Sequence, residues 1–272
     1  MLTPTHHLTN EEYHAHPAIS RSSLGLVAQS PLHFWHRHYN SAYVPSLPTP
    51  QMRLGTAVHA AVLEPALFKA EYVLAPDMPR TTKAGKEAWA AAAADGAELL
   101  TASEMGQILA MRDALLAHPA GQKILDAPGI NEASFITTDP GTGIEIKCRP
   151  DRLTDSNWIV DLKTTKDASA PAFQKSVANF GYHIQAAIYM HVLDVLGQRP
   201  KGFLILAIEK DAPYAVQAFQ LSADSIFQGT KEMHHHLATL KYCLTHYPIT
   251  TPWPAYNNEI QELSLPSWAV KA

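Results

Sequence analysis

Asn157-Trp158-Ile159-Val160-Asp161-Leu162, followed by Lys163, decides how this chain is read. The run is apolar and holds β-branched residues, the pattern of a buried strand. Asp161 sits at its end, where a carboxylate is costly unless it is paired or holds a metal ion. Two more segments of strand composition precede it, 131–138 and 144–153. Turn sequences part the three, Asp139-Pro140-Gly141-Thr142-Gly143 and Thr154-Asp155-Ser156. The pattern predicts a three-stranded meander. Pro150-Asp151 ends the middle strand and Asp161-Leu162-Lys163 ends the last. Adjacent strands then bring two carboxylates and one lysine into a shared pocket.

That set suits metal-assisted hydrolysis of a phosphodiester. Mg2+ is a hard ion that takes oxygen ligands in octahedral geometry. Asp151, Asp161 and a backbone carbonyl supply three of them, and water and a phosphate oxygen complete the shell. Lys163 stands where it would orient or deprotonate the attacking water and stabilise charge in the transition state. Three further features lie where such a site would use them. Glu132 opens the first strand. His59 lies inside an apolar helix expected over 54–63. Gln185 and Tyr189, four apart, share one face of a helix expected over 183–196.

Upstream, the sequence reads as helical. Ser20 caps one short helix and Pro31 starts the next. A connector follows at 44–50, with Pro45, Pro48 and Pro50. Residues 76–86 have loop composition and carry Arg80, Lys83 and Lys86. Helices are expected over 87–94 and over 103–116, the second capped by Ser103. Downstream come helices at 171–180 and 183–196, strands at 202–209 and 215–221, and a long helix over 222–247. This is an α-rich N-terminal part followed by an α/β unit with a mixed sheet.

Composition narrows the classes. Of 272 residues, 46% are apolar and 17% charged, which is globular and not disordered. The net charge of −4, from 21 basic and 25 acidic residues, excludes a uniformly basic nucleic-acid coat and leaves a local basic groove open. Cys148 and Cys243 are the only cysteines, so a disulfide scaffold, a four-cysteine zinc site and a four-cysteine iron–sulfur cluster are excluded. No apolar run reaches the ~18 residues of a membrane span. The first residues lack the basic and apolar regions of a signal peptide. A cytoplasmic location is the expectation.

Asp151, Asp161-Leu162-Lys163 and Gln185-x-x-x-Tyr189, in that order, resemble the motif set of the PD-(D/E)XK nuclease superfamily. Gly55-Thr56-Ala57-Val58-His59 looks like the upstream histidine motif shared with bacterial recombination nucleases. The likeness is closer still to the exonuclease VIII (RecE-type) nuclease domain of prophage recombination systems. Arg80-Thr81-Thr82-Lys83-Ala84-Gly85-Lys86, Lys147-Cys148-Arg149-Pro150-Asp151, Trp158-Ile159-Val160-Asp161-Leu162-Lys163-Thr164-Thr165 and Tyr182-His183-Ile184-Gln185-Ala186-Ala187-Ile188-Tyr189 carry it. Two cysteines cannot build the iron–sulfur staple of the helicase-linked and CRISPR-associated relatives.

The resemblance implies a restriction-endonuclease-like α/β core, a mixed central sheet flanked by helices, with an α-helical N-terminal region. It implies a Mg2+-dependent DNA exonuclease, with Mn2+ able to substitute, that works on duplex ends 5′ to 3′. The product would be a 3′ overhang for a single-strand annealing protein, and the assembly a homo-oligomeric ring. Asp151, Asp161 and the Leu162 carbonyl would hold the first ion, and Lys163 would serve the nucleophilic water. His59 would sit at the second metal position, with Glu132 as a ligand or water anchor. Gln185 and Tyr189 would brace the site or touch the scissile strand. Arg80, Lys83 and Lys86 are natural phosphate contacts. Arg21 and Ser22, at a helix start, make a candidate site for a 5′-phosphate. Two other classes stay open: a non-enzymatic DNA-binding protein on a nuclease-like fold, and an endonuclease of the same superfamily. On this reading the chain divides into a helical arm and connector over 1–50, a nuclease domain over 51–250 and a tail over 251–272.

Overall fold

The computed structural model describes residues 8–94 and 96–266. The outer parts of the expected arm and tail, 1–7 and 267–272, lie outside the described residues. The N-terminal elements are α1 (Asn10–Ala15), α2 (Arg21–Gln29), α3 (Pro31–His38), α4 (Pro50–Leu63), α5 (Pro65–Glu71), β1 (Tyr72–Leu74), α6 (Lys83–Ala92), β2 (Glu98–Leu100), α7 (Ala102–Ala117) and α8 (Pro119–Asp126). Five strands follow: β3 (Gly129–Asn131), β4 (Phe135–Thr138), β5 (Glu145–Cys148), β6 (Arg152–Thr154) and β7 (Trp158–Thr165). The chain continues through α9 (Ala170–Asn179), α10 (Tyr182–Val195), β8 (Gly202–Glu209), β9 (Val216–Gln220) and α11 (Ala223–His246).

Side-chain caps start the helices at Ser20, Ser30 and Ser222, each accepting a backbone N–H of the first turn. The cap of α7 is Thr101 and not Ser103, because Thr101 and Glu104 close a reciprocal capping box. Lys83 and Lys86, expected in a loop, lie in α6, since Thr82 caps that helix ahead of them.

The main sheet runs β3-β6-β7-β8-β9. β7 and β8 are parallel along their whole length, from Trp158↔Gly202 to Thr165↔Glu209, and the other pairs are antiparallel. Helices α9 and α10 make the crossover that a parallel pair requires. Side chains of β7 alternate between two cores. Ile159 packs with Phe203 and Ile205 against Leu24, Ile188 and Leu237. Val160 and Leu162 pack with Leu206 and Ile208 against Ala57, Val58, Ile108 and Met111. Asp161 and Lys163 alternate with Val160 and Leu162, so they share the side of Ile159, toward α10.

The expected meander is not continuous. β4 pairs with β5 in a separate two-stranded sheet, whereas β3 pairs with β6 in the main one. Both strands break at one level, at Arg149-Pro150-Asp151 and at Glu132-Ala133-Ser134. Pro150 has no N–H to give to a ladder. Glu132 is left-handed, with φ 48, and its N–H donates to the Asp151 carbonyl at 3.1 Å. That backbone costs a non-glycine residue about 1–2 kcal/mol. Glu132 therefore stands at a kink between β3 and β4 and does not open a strand.

The N-terminal helices and the segment after α11 share the first core. Leu24, Val27, Phe34 and Trp253 are all buried in it. Trp253 stacks on Phe34, with ring centroids 5.8 Å apart. Trp35 Nε1 donates to the Ile249 carbonyl at 2.7 Å, and Leu32 N–H to the Pro254 carbonyl at 3.0 Å. Packing therefore does not part residues 21–38 or 249–254 from the sheet. We expect Trp253→Ala to cost about 3–5 kcal/mol, as for other buried large-to-small aromatic changes. Urea unfolding checks this, and a loss under about 1 kcal/mol would place Trp253 outside the core.

Candidate active site

The strand break drops Asp151 onto β7. β6 pairs with β7 at Arg152↔Val160 and Leu153↔Ile159. Continuing that register would set Pro150 opposite Leu162, where Pro150 offers no N–H. The Leu162 N–H donates to Asp151 Oδ2 at 2.6 Å, in place of the Pro150 carbonyl that a continued ladder would offer. His59, from α4, brings Nδ1 to 3.4 Å from the same oxygen. The kink at Glu132 turns the third group inward. His59, Glu132 and Asp151 each offer a ligand atom, and these lie within 4.8 Å of one another.

The electrostatics of this trio call for a cation. Burial, and then the Asp151 charge, push the Glu132 carboxyl up to about 9, against the opposing pull of Arg149. Without a metal ion, Glu132 therefore keeps its proton at neutral pH. One imidazole nitrogen and two carboxylates suit a divalent ion of the Mg2+ or Mn2+ kind. Such an ion would replace the proton and balance Asp151. The donor set fits the group that the sequence motifs imply.

A second trio adjoins the first. Asp161 is 1% exposed. Its Oδ1 accepts from Gln185 Nε2 at 2.5 Å, and its Oδ2 faces Lys163 Nζ at 2.5 Å. Burial pushes Asp161 up to about 6; Lys163 opposes that rise and Asp151 adds to it. Burial pulls Lys163 down, but Asp161 and Asp151 more than offset it and hold the lysine above its ordinary value. In the metal-free protein the two carboxylates thus hold Lys163 in its ammonium form. The residues named from sequence form two groups, His59–Glu132–Asp151 and Asp161–Lys163–Gln185. The Asp151–Leu162 hydrogen bond joins them.

Tyr189 packs its ring 6.1 Å from that of Phe203, and burial pushes its hydroxyl well above the usual tyrosine range. With Gln185 it borders a cleft of about 610 Å3 that Arg21, Ser22, Arg37 and Lys147 also line. Arg21 Nη2 donates to the Phe180 carbonyl. Ser22 Oγ lies 2.9 Å from Ser20 Oγ. Arg80 stacks on Trp89, 3.7 Å from the ring centroid, Lys83 pairs with Glu87 at 4.0 Å, and Lys86 is exposed. Among the described residues, no hydrogen bond or ion pair links these three to the carboxylates.

Two groups next to the site were not singled out from sequence. Arg149 donates to Ser134 Oγ at 3.0 Å and to the Leu8 and Thr9 carbonyls, and lies 4.6 Å from the Tyr13 ring. Lys147 donates to the Tyr13 and His16 carbonyls. Two cations alternating along a strand was the available signal. They tie α1 to the site strand. The other is Tyr182, whose ring lies 4.9 Å from Lys163 Nζ.

A family model, the PDDEXK-like domain of unknown function (DUF3799), matches residues 20–263. The chain belongs to that family, and through it to the PD-(D/E)XK nuclease superfamily. Its fold is similar to that of a "Putative exonuclease" from Eubacterium rectale, at 14% identity over 89% of each chain, with a TM-score of 0.61. The alkaline exonuclease (LHK-Exo) of Laribacter hongkongensis is matched at 13% identity over 70% of this chain and 95% of that one, with a TM-score of 0.32. No curated protein matches the sequence.

Glu132 sets a sign for stability. Its folded value, about 9, lies above the ordinary 4.5. The native state therefore holds the extra proton, and its contribution fades as pH rises from about 4.5 toward 9. Glu132→Gln removes that slope. In chelator we expect the variant and wild type to melt together near pH 5, with the variant melting higher by a margin that widens toward pH 9. Parallel melting curves across that range would show that Glu132 ionises as an ordinary surface carboxylate.

Proposed function

We propose that this chain is a divalent-metal-dependent deoxyribonuclease that digests duplex DNA from its ends, the activity of the exonuclease VIII (RecE-type) domains its motifs resemble. One observation carries this reading: the metal-ready His59–Glu132–Asp151 trio is bonded, through Leu162 N–H, to the strand that presents a charged lysine. A divalent cation bound there supplies a Lewis acid that acidifies water and neutralises phosphate charge. Mg2+ is the expected ion, and Mn2+ suits the imidazole of His59 better.

The chain's own residues do the rest. Leu162 N–H fixes the Asp151 carboxylate, and the left-handed turn at Glu132 fixes the third donor. Lys163, kept charged by Asp161, orients the attacking water and stabilises the charge that builds on the phosphate, and the proton of that water passes to solvent. Gln185 holds Asp161 in place. Asp161, whose oxygens meet Gln185 and Lys163, and the Leu162 carbonyl would complete the ion's shell, as the family resemblance implies. Tyr189 and Gln185 wall the cleft beside the site. Arg21 and Ser22 there suit a 5′-terminal phosphate, with Arg37 and Lys147 adding positive charge. Exposed Lys83 and Lys86 would meet the backbone of the duplex farther out, with Arg80 committed to Trp89. Digestion 5′ to 3′ would leave a 3′ overhang for a single-strand annealing protein in phage-type recombination. A homo-oligomeric ring around the duplex would make digestion processive. Among the described residues, no helix is long and apolar enough to cross a membrane, and the cytoplasm is the proposed setting.

Linear and covalently closed duplex DNA, each with Mg2+ and with EDTA, test the reading. We expect linear DNA to shorten from its ends, the circle to persist, and EDTA to stop all loss. A nicked or linearised circle would indicate an endonuclease, and intact DNA in every lane a binding module. Lys163→Ala should lower kcat by about 10²–10³-fold, as loss of a single transition-state donor does, while Mn2+ affinity by calorimetry holds. Asp151→Ala should lose both. Equal loss of Mn2+ binding in the two variants would contradict the division of roles.

A further inference from the structure

Lys163 approaches the pocket on a flexible four-carbon stem. Asp161 Oδ2 faces one side of its ammonium at 2.5 Å. The Tyr182 ring lies 4.9 Å from Nζ, within the range of a cation–π contact. Tyr182 is the first residue of α10, and its placement is built. Gly181 before it is left-handed, with φ 63 and ψ 40, and a Cβ there would come 2.6 Å from Arg21 Nη2. The same Arg21 nitrogen donates to the Phe180 carbonyl. Arg21 thus clamps the turn that aims α10. The Phe173 and Phe180 rings pack beside Tyr182, with centroids 6.0 and 5.7 Å away.

The periods of the two elements match at this point. Tyr182 and Gln185, three apart, share a helix face. Asp161 and Lys163, two apart, share a strand face. One turn of α10 therefore addresses both members of the ion pair, Gln185 on Asp161 and Tyr182 on Lys163. We propose that Tyr182 is a positioning residue whose ring face holds the Lys163 ammonium where it meets the attacking water and the phosphate. This rests on the role given to Lys163 above. An aliphatic side chain at 182 would fill space but leave the ammonium held by Asp161 alone.

Graded fluorination separates the ring's charge distribution from its bulk. Phenylalanine, 4-fluorophenylalanine, 3,4,5-trifluorophenylalanine and pentafluorophenylalanine are placed at 182 in the full chain. On linear duplex DNA with Mg2+, kcat should fall stepwise by about tenfold across the series, with KM and Tm unchanged. In the metal-free protein, the Lys163 Hε proton signals should carry a ring-current shift that Tyr182→Phe keeps and Tyr182→Leu loses. A flat kcat series, a fall in kcat that follows Tm, or Lys163 signals unmoved in Tyr182→Leu would overturn the proposal. Absence of metal-dependent cutting by the wild-type protein would instead overturn the nuclease reading it stands on. The Lys163 signals report the contact itself in either case.

Discussion

The hydrogen bond from Leu162 N–H to Asp151 Oδ2 is the constraint on which the site depends. It exists because the ladder beside β7 stops. β5 and β6 part at Pro150, and the Asp151 carboxylate accepts the N–H that the Pro150 carbonyl would take if the ladder ran on. That single substitution of side chain for backbone does two things. It satisfies a buried N–H, which would otherwise cost about 1–3 kcal/mol. It also fixes Asp151 to the strand that carries Asp161 and Lys163, so the two trios, drawn from α4, β7, α10 and the two strand breaks, meet.

The same economy explains the charges. The carboxylates of Glu132, Asp151 and Asp161 act on one another, with Lys163 paired to Asp161, and burial magnifies their repulsion. The metal-free protein relieves it by keeping a proton on Glu132 and by raising Asp161 and Lys163 together. A divalent cation relieves it without the proton. The protein therefore holds an unfavourable arrangement that a bound ion makes favourable, and the left-handed backbone at Glu132 is part of that stored cost.

Much of this was legible in local patterns. β7, β8, α10 and α11 follow from apolar periodicity and, for α11, a Ser cap; Asp161 was marked as a carboxylate closing an apolar run, but β7 continues past it to Thr165, so Asp161 lies within the strand and not at its end. His59, Asp151 and Gln185 were placed by motif order. The break at 149–151 was not foreseen, although Pro150 stands there between Arg149 and Asp151, because Ile146, Cys148 and Leu153 around it suggest one strand. The φ of Glu132 is set by the partner strand and leaves no local trace. Lys147 and Arg149 look like solvated cations in sequence, and only the fold brings them onto Tyr13. Trp253 joins the core of α3 across more than 200 residues, a contact that no local pattern encodes.

The central claim is that His59, Glu132 and Asp151 together hold a divalent cation. Anomalous diffraction from a crystal soaked in Mn2+ near neutral pH measures that directly. The account predicts a manganese peak between the His59 imidazole and the Glu132 and Asp151 carboxylates, with Leu162 N–H still on Asp151. Manganese found only at other carboxylates, with this trio intact and empty, would contradict it.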